Sequence, residues 1–303
     1  MTDTPALPPI TAVVNPISGG GASHQQWPAV AAELERRGAT DISVIESQSS
    51  EHATDVATGS AARGALTVAV GGDGHVRDVA RGVLTVPGAR MGIAAAGRGN
   101  DLVRHLGLPS DPTEIAAVLA AGTVRRIDVL DVTRADGATA LAVGNVYAGL
   151  DSEATELINE IRWMGPLAYR VAPVLTAARW KPMRIALTVD GVSRVMSAHF
   201  VVIANSGDYG HGLRMVPTAS VDSGHLDVFI VDGRSPRLSL AALMSKAKAG
   251  GSHQYRDDVE IITGSRVEFS IDRAVPVHSD GDYLGESPVT VSLRPKALPI
   301  LVS

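Results

Sequence analysis

Apolar residues recur along this chain with two different periods, and the change between them falls near residue 127. Before it, β-branched runs such as Ile10–Val14 and Leu66–Val70 are each followed by a stretch in which apolar residues recur at helical spacing. Strands that alternate with helices are typical of a parallel sheet covered by helices on both faces. The pattern therefore predicts an α/β domain over residues 1–127.

The remainder of the chain predicts successive strands with few helices between them. Asp190-Gly191 lies between two apolar runs and is a strong signal for a β-hairpin. Helical spacing returns only around Leu167–Arg179 and Leu238–Lys248. We therefore predict a β-rich second domain over residues 128–303, whose last strands, about 286–303, could pack back on the first domain. The predicted strands are Ile127–Thr133, Ala140–Val146, Ile185–Val189, His199–Ala204, Leu226–Val231, Val259–Thr263, Val267–Ile271 and Val289–Ser303.

The composition narrows the class of protein. Cysteine is absent, which excludes disulfides, thiolate metal sites and a cysteine nucleophile. The net charge of −5 and the pI of about 6.0 give no basic footprint for nucleic acid. The chain shows no signal peptide, and no apolar run approaches the ~18 residues that a membrane helix requires. We therefore expect a soluble, cytoplasmic protein without a transmembrane segment.

The strongest chemical signal is Gly71-Gly72-Asp73-Gly74, which follows a predicted strand and precedes a predicted helix. Glycines at such a junction expose backbone N–H groups at a helix N-terminus, where a phosphate is favoured. The carboxylate of Asp73 could bind Mg²⁺ carried by the phosphates. The alternative interpretation is a tight turn in which Asp73 only caps the helix. Because of the strand–loop–helix setting, we prefer the phosphate-binding interpretation.

Two further glycine loops follow predicted strands. They are Asn15-Pro16-Ile17-Ser18-Gly19 and Gly97-Arg98-Gly99-Asn100-Asp101. In open parallel sheets, ligands bind outside the carboxyl ends of the strands. Each loop alone could be a plain connection, but three of them indicate a shared site. No Walker A sequence and no Gly-x-Gly-x-x-Gly fingerprint opens any of the helices, which argues against the familiar P-loop and dinucleotide folds.

Two other segments leave a choice between function and structure. Ser279-Asp280-Gly281-Asp282 carries two carboxylates that could accept a proton from a hydroxyl substrate, although spacing alone favours an exposed hairpin turn. The helix predicted over Leu167–Arg179 has apolar residues along one side and basic residues nearby. It could touch a membrane surface, but such helices more often cover a sheet. No metal-binding His motif or Gly-x-Ser-x-Gly nucleophile elbow occurs.

Taken together and in order, these segments resemble the diacylglycerol kinase catalytic-domain family of bacterial lipid kinases, which are related to the sphingosine and ceramide kinases. The resemblance spans nearly the whole chain. It implies an NAD-kinase-like fold, with an α/β nucleotide-binding domain followed by a β-sandwich-like domain. The segments that carry it are Asn15-Pro16-Ile17-Ser18-Gly19, Gly71–Gly74, Gly97–Asp101 with Leu106-Gly107-Leu108-Pro109, Tyr209-Gly210-His211-Gly212, Pro217 and Asp280-Gly281-Asp282.

The resemblance also implies roles for individual residues. Asp280 and Asp282 would be catalytic, and Asp73, Asp101 and Asp128 would bind the magnesium of Mg-ATP or its water network. The residues implied to bind the nucleotide are Asn15, Ser18, Gly19, Ser47, Gly71, Gly72, Asp73, Gly74, His75, Arg98 and Asn100.

Four positions depart from the family pattern. His75 stands where Thr or Asn is usual, and Arg98 replaces a phosphate-contacting Thr, whose task a guanidinium could perform. Asp282 is one methylene shorter than the usual Glu. Ser223 replaces a carboxylate that binds a structural cation in relatives, beside the carbonyls of Ser220 and His225. Because a hydroxyl is neutral at pH 7, we predict that the loop of these three residues holds no divalent cation.

The leading functional hypothesis is an ATP- and Mg²⁺-dependent lipid kinase, with diacylglycerol as the first acceptor to consider. Its lipid substrate would be collected at the inner membrane face, with the protein attached only peripherally. One alternative is an NAD-kinase-like or other small-alcohol kinase, and another is a nucleotide-binding regulatory protein of weak catalytic activity. The sequence leaves open whether the chain forms a homodimer.

Overall fold

The computed structural model of this protein describes residues 7–97, 99–210 and 212–303, which form two compact units. The first unit extends to Ile127 and also includes Lys296–Ser303. The second unit comprises Asp128–Pro295. Strands β5 (Val124–Arg134) and β15 (Val289–Leu301) contribute residues to both units.

The first unit is a parallel sheet with helices between its strands. The strand order is β4-β3-β1-β2, and Ile300 of β15 pairs in parallel with Met91 of β4. Its own strands and helices are β1 (Ile10–Val14), α1 (Ala22–Arg36), β2 (Ile42–Glu46), α2 (Ser50–Ala62), β3 (Leu66–Gly71), α3 (Asp73–Val83), β4 (Met91–Ala95), α4 (Asp101–His105) and α5 (Pro112–Ala121).

Local sequence explains where these helices begin and end. The Ser49 hydroxyl accepts the N–H of His52 at the start of α2, and the Asp111 carboxylate accepts two N–H groups at the start of α5. Gly38, just after α1, takes a positive φ of 94°, which glycine adopts without strain. Every residue of β1 and β3 is buried, as expected for central parallel strands covered on both faces.

The second unit is built from antiparallel strands. Its longest row is β14-β13-β7-β9-β8-β12-β15, while β10 pairs with β9 and β11, and β5 pairs with β6 and β15. The apolar side chains of these strands form one large core cluster, and a second cluster packs strands β7, β9 and β10 against helix α8. The strands and helices, apart from β5 and β15, are β6 (Thr139–Ala142), β7 (Asn145–Gly149), α6 (Leu150–Glu160), α7 (Ala168–Arg179), β8 (Met183–Val189), β9 (Val192–Ala204), β10 (Leu226–Asp232), α8 (Leu238–Lys248), β11 (Val259–Gly264), β12 (Arg266–Ile271), β13 (Pro276–Ser279) and β14 (Asp282–Glu286).

The predicted fold class is confirmed: a parallel α/β portion is followed by a β-rich portion. One predicted strand is wrong, because Ala140–Val146 is divided into β6 and β7 by Val143 and Gly144. The division has a physical cause, since the N–H groups of these two residues point to the carboxylate of Asp280. Helices α4, α5 and α6 were not predicted from periodicity. Among the described helices, none is long and apolar enough to cross a membrane.

Candidate functional site

Three glycine loops of the first unit lie at one edge of its sheet. They follow β1, β3 and β4, which are adjacent and parallel, so their carboxyl ends meet at the same edge. Two of these loops lead into helices α1 and α3, whose N-cap residues are Gly21 and Gly72. Neither helix has a side-chain cap. Uncapped N–H groups at helix N-termini are suited to binding a phosphate.

The loops contact one another through their backbones. A methyl group on Gly97 would lie 2.5 Å from the Cα of Gly72, and one on Gly19 would lie 2.3 Å from the carbonyl oxygen of Ala96. The Ser18 hydroxyl accepts a hydrogen bond from the N–H of Gly72 at 3.3 Å. Any side chain at Gly97 or Gly19 would therefore push the loops apart. The glycines keep three sets of backbone groups close together.

Asp73 links two of these loops. Its carboxylate accepts hydrogen bonds from the N–H groups of Asp101 (3.2 Å) and Leu102 (3.4 Å), at the first turn of α4. A methyl group on Gly99 would lie 3.1 Å from Oδ2 of Asp73 and 3.9 Å from Oδ2 of Asp101. The two carboxylates therefore face the same small space, which the absence of a side chain at Gly99 keeps open.

Three predicted nucleotide-binding side chains shape the loops themselves. The side-chain amide of Asn100 donates to the Gly97 carbonyl and accepts from the Gly97 N–H, both at 3.0 Å, while its backbone takes a positive φ of 55°. Oδ1 of Asn15 accepts the N–H of Ile17 at 3.2 Å. The Ser47 hydroxyl donates to the carbonyl of Val14 at 3.2 Å. The contacts of Asn100 and Asn15 hold the glycine loops in shape, and the Ser47 contact joins the ends of β1 and β2.

His75, which is predicted to contact the nucleotide, has its side chain inside the protein. Its ring is buried, and Nε2 lies 2.8 Å from the carbonyl oxygen of Val13, so Nε2 carries a proton. Burial lowers the pKa of His75, which favours the neutral imidazole. A methyl group on Gly71 would lie 2.7 Å from Cδ2 of this ring. His75 therefore supports the loop from inside the protein. Arg98, which is also predicted to bind the nucleotide, lies outside the described residues.

The predicted catalytic turn belongs to the second unit. Asp280 and Gly281 have positive φ angles of 51° and 90° and join β13 to β14 as a two-residue hairpin turn. The Asp280 carboxylate accepts three backbone N–H groups, from Val143 (2.9 Å), Gly144 (2.9 Å) and Asn145 (3.0 Å). The carboxylate of Asp280 therefore anchors the turn, and the catalytic role that the resemblance implies for it stays a prediction.

Asp282 comes directly after the turn and has an exposed side chain. Behind it, His278 is buried, and its Nε2 lies 2.7 Å from a carboxylate oxygen of Glu156 in α6. Burial lowers the pKa of His278, while the negative charges of Glu156 and Asp282 act in the opposite direction. The ring of Tyr147 stacks on His278 with centroids 5.4 Å apart. The side chains behind Asp282 therefore include two ionisable groups, His278 and Glu156, and the ring of Tyr147 that stacks on His278.

A second carboxylate of α6, that of Asp151, is half-buried. Oδ2 of Asp151 accepts a hydrogen bond from the hydroxyl of Tyr209 at 2.9 Å, and burial raises the pKa of Asp151 to about 6. The Tyr209 ring meets Tyr147 edge to face with centroids 4.6 Å apart. Burial also raises the pKa of both tyrosines, so their hydroxyls stay protonated. Tyr147, Tyr209, Asp151, His278 and Glu156 form what we call the aromatic–acid cluster.

The loop predicted to have lost a cation is closed by its own hydrogen bonds. The Ser223 hydroxyl donates to the carbonyl of His225 (2.9 Å), and the carbonyl of Ser220 accepts the Ser223 N–H (3.0 Å). Asp128, predicted to act with Asp73 near Mg-ATP, is fully buried in the second unit, where its Oδ2 accepts the Gly224 N–H at 2.8 Å. Its role near Mg-ATP stays a prediction. Within the described residues, no group of three or more His, Asp or Glu could hold a metal ion.

Sequence reasoning missed the partners of the turn. Nothing pointed to Val143, Gly144 and Asn145 as its anchor, although an isolated glycine inside an apolar run is a usual sign of close backbone approach. The structure shows this close approach at Gly144, where a methyl group would lie 2.8 Å from Oδ1 of Asp280. The roles of Asp151 and Glu156 had no sequence signal, because acidic residues are common on the exposed faces of helices.

Two family models match most of the chain. Residues 9–132 match the diacylglycerol kinase catalytic domain, and residues 144–302 match the YegS C-terminal NAD kinase beta sandwich-like domain. A diacylglycerol kinase of Mycobacterium tuberculosis is 30% identical over 299 residues, covering 96% of this chain and 94% of the relative. A diacylglycerol kinase of Staphylococcus saprophyticus is 24% identical over 277 residues, covering 91% and 89%.

The fold is also similar to that of a solved structure. The crystal structure of a diacylglycerol kinase from Bacillus anthracis superimposes with a TM-score of 0.78 and covers 97% of both chains, at 20% identity. At this identity the likeness concerns the fold alone.

Proposed function

This chain belongs to the family of diacylglycerol kinases and related lipid kinases, and we propose that it transfers the γ-phosphoryl group of ATP to a lipid hydroxyl, with diacylglycerol as the first acceptor. As a member of this family it is a phosphotransferase with an alcohol group as acceptor. The observation that carries the proposal is the joining of three glycine loops, backbone to backbone, at the carboxyl edge of a parallel sheet.

The nucleotide would be held mainly by backbone groups. Its phosphates would lie against the uncapped helix starts after Gly21 and Gly72, where N–H groups favour negative charge. Ser18 and Asn100 would act by fixing the loop conformation, since their side chains already bond to loop backbone. Because the loops are already held in one conformation, binding of the nucleotide would cost less conformational entropy.

Asp73 and Asp101 fit a magnesium ion that arrives with the nucleotide. Mg²⁺ usually keeps several waters and takes one or two carboxylates plus substrate phosphates, rather than a complete protein cage. The two carboxylates face one small space beside Gly99, which is consistent with that demand. The bound ion would neutralise charge on the phosphates during transfer.

On the acceptor side, we assign the proton-accepting role to Asp282. Its carboxylate is exposed at the end of a hairpin held rigidly by Asp280. The carboxylate of Asp280 is bonded to three N–H groups, which leaves it poorly placed to take up a proton. Asp280 is therefore proposed as a positioning residue for Asp282.

The proposed function is tested with radiolabelled ATP and a panel of acceptors. We expect label in phosphatidate when diacylglycerol is supplied, and little label in sphingosine, NAD or glycerol. Label in NAD or another soluble alcohol would replace the lipid-kinase proposal. Binding of ATP without transfer to any acceptor would favour a regulatory role.

The magnesium assignment makes a separate prediction. Asp73→Asn removes one negative charge from the proposed site, so we expect the Mg²⁺ concentration for half-maximal activity to rise about tenfold and turnover to fall. Asp111→Asn is the matched control, because Asp111 also accepts two N–H groups at a helix start but lies between α4 and α5. An unchanged Mg²⁺ requirement in Asp73→Asn would remove the carboxylate from the site.

We further propose that the protein works at the inner membrane face as a peripheral protein, because a diacylglycerol acceptor resides in the bilayer. The described helices provide no span of their own that could hold it there.

A further inference from the structure

Two buried histidines of the second unit each have a ring nitrogen that makes no hydrogen bond. The side chains of His253 and His278 are fully buried. In both rings Nε2 has a partner, whereas Nδ1 has none among the described residues. A second proton would place a positive charge on a ring whose Nδ1–H has no acceptor, which is costly in a buried place. Both rings therefore favour the neutral form with its proton on Nε2.

The two histidines differ in the group that Nε2 meets. Nε2 of His253 lies 2.6 Å from the carbonyl oxygen of Met215, which is a neutral acceptor. Nε2 of His278 lies 2.7 Å from a carboxylate oxygen of Glu156, whose side chain is 37% exposed. A carboxylate favours a protonated ring more strongly than a carbonyl does, because it carries a full negative charge. His278 is therefore the ring of the two that is better able to gain a proton from solvent.

His278 also lies against the turn that carries the proposed proton acceptor. In β13 it is paired with Tyr283 of β14, and the next pair of residues along the two strands contains Asp282. The rings of His278 and Tyr283 meet edge to face with centroids 5.9 Å apart. Because Glu156 belongs to α6, its bond to His278 ties this helix to the strand that leads into the turn.

The groups around the ring of His278 have opposing effects on its protonation. Burial lowers the pKa of His278, and the negative charges of Glu156 and Asp282 raise it. The other titratable side chains packed on the ring are the phenols of Tyr147 from β7 and Tyr283 from β14. The interaction between two titratable groups is mutual. A positive charge on His278 would therefore stabilise the ionised carboxylate of Asp282 and oppose its uptake of a proton.

We propose that His278 and Glu156 are positioning residues that act through Asp282. While the ring is neutral, its bond to Glu156 holds β13 and the turn in place, and Asp282 takes up the proton of the acceptor hydroxyl. When the ring gains a proton from solvent, its charge opposes that step and turnover falls. The proposal rests on the proton-accepting role of Asp282 in the proposed function, but the coupling between the ring and Asp282 can be measured without turnover.

The coupling is tested by nuclear magnetic resonance on the full chain with isotope-labelled histidine. The signal of His278 is assigned by its loss in His278→Gln. Glu156→Gln should move the midpoint of its titration to lower pH by about one unit or more, because a bonded negative charge is removed. Asp282→Asn should move the midpoint in the same direction by a smaller amount. The signal of His253 is the internal control and should not change in either variant.

The dependence of turnover on pH gives the second test. From about pH 8 down to about pH 5, at saturating Mg-ATP, turnover of the native chain should fall through the midpoint measured for His278. In Glu156→Gln this fall should move to lower pH with the midpoint, and in His278→Gln it should be absent. His253→Gln is the matched control, because it removes an equally buried ring that has no carboxylate partner, and it should keep the native profile.

A purely structural role would lower turnover by the same factor at every pH. A uniform loss in Glu156→Gln, with the fall at acid pH unmoved, would therefore overturn the proposal, and this half-exposed position allows the test even if His278→Gln does not fold. The proposal would also be overturned if the midpoint of His278 were unchanged in Asp282→Asn, or if His278 did not titrate before acid unfolding. Coupled titration in a chain that phosphorylates no lipid would support the coupling and contradict the proposed function.

Discussion

The second unit contains two Asp-Gly hairpin turns that are built alike. Asp190-Gly191 joins β8 to β9 and Asp280-Gly281 joins β13 to β14, and all four residues have positive φ angles between 46° and 90°. In both turns the aspartate accepts backbone N–H groups from another segment: Asp190 from Ser265 and Arg266, and Asp280 from residues 143–145. In each of these two hairpins the aspartate therefore anchors the turn.

The two turns differ in the next residue along the chain and in the side chains around them. After Asp190-Gly191 comes Val192, which is 74% exposed, whereas Asp282 comes after the second turn. The aromatic–acid cluster lies beside the second turn, where His278 feels the charge of Asp282. The Asp-Gly pair therefore supplies geometry, and any chemistry must come from the next residue and its neighbours.

The largest effect on stability is expected from the anchors themselves. Asp280→Asn replaces a carboxylate that accepts three N–H groups in a half-buried place, so we expect a loss of about 3 kcal/mol in the free energy of unfolding. Asp190 is exposed, and water competes for its partners, so Asp190→Asn should cost about 1 kcal/mol or less. Urea unfolding of both variants gives the two numbers.

Equal losses in the two variants would contradict the stronger anchoring of the second turn. The stability that Asp190 contributes to the first turn also depends on pH. Backbone hydrogen bonds from Ser265 and Arg266 lower the pKa of Asp190. Its small contribution to stability is therefore present above the ordinary aspartate pKa and is lost as the pH falls through the lowered value.

A smaller and pH-dependent effect is expected from the aromatic–acid cluster, which the first turn lacks. The pKa of Asp151 is about 6 in the folded protein, above its ordinary value of 3.8, because the carboxylate is buried. A raised carboxyl pKa means that stability is fully present below pH 3.8 and is lost as the pH rises to about 6. Asp151→Asn keeps an acceptor for Tyr209 without this loss.

Thermal and urea unfolding at several pH values test this point. We expect the variant and the native chain to be similar near pH 4, with the variant more stable by about 2 kcal/mol at pH 7. A variant less stable at pH 7 than the native chain would show that the ionised carboxylate is needed for the cluster.

Much of the fold could be predicted because its signals are local. Ile10–Val14 and Met91–Ala95 are strands as predicted, since five-residue apolar runs bounded by polar loops are of strand length and too short for a typical helix. The broken strand at Gly144 was missed because its cause, the carboxylate of Asp280, lies 136 residues away in sequence. Gly144 itself is a local sign of a close backbone approach, but the local pattern does not identify a partner at this separation.

Some parts of the candidate site could likewise be predicted from the sequence, and others could not. The glycine loops were visible because glycine itself is the signal, as at Gly72 and Gly97. The position of His75 could not be predicted, because whether its ring turns toward the loop or into the core depends on the packing of β1 beneath it.

The proposed proton acceptor is tested most directly by replacing the residue that follows each turn and measuring the rate of phosphoryl transfer. Single-turnover phosphoryl transfer to diacylglycerol, at saturating Mg-ATP, should fall roughly 10²-fold or more in Asp282→Asn. ATP affinity and unfolding free energy should stay near those of the native chain, because Asp282 is exposed. Val192→Asn, the same position in the other turn, should transfer at the native rate. An Asp282→Asn variant that transfers phosphate at the native rate would contradict the account.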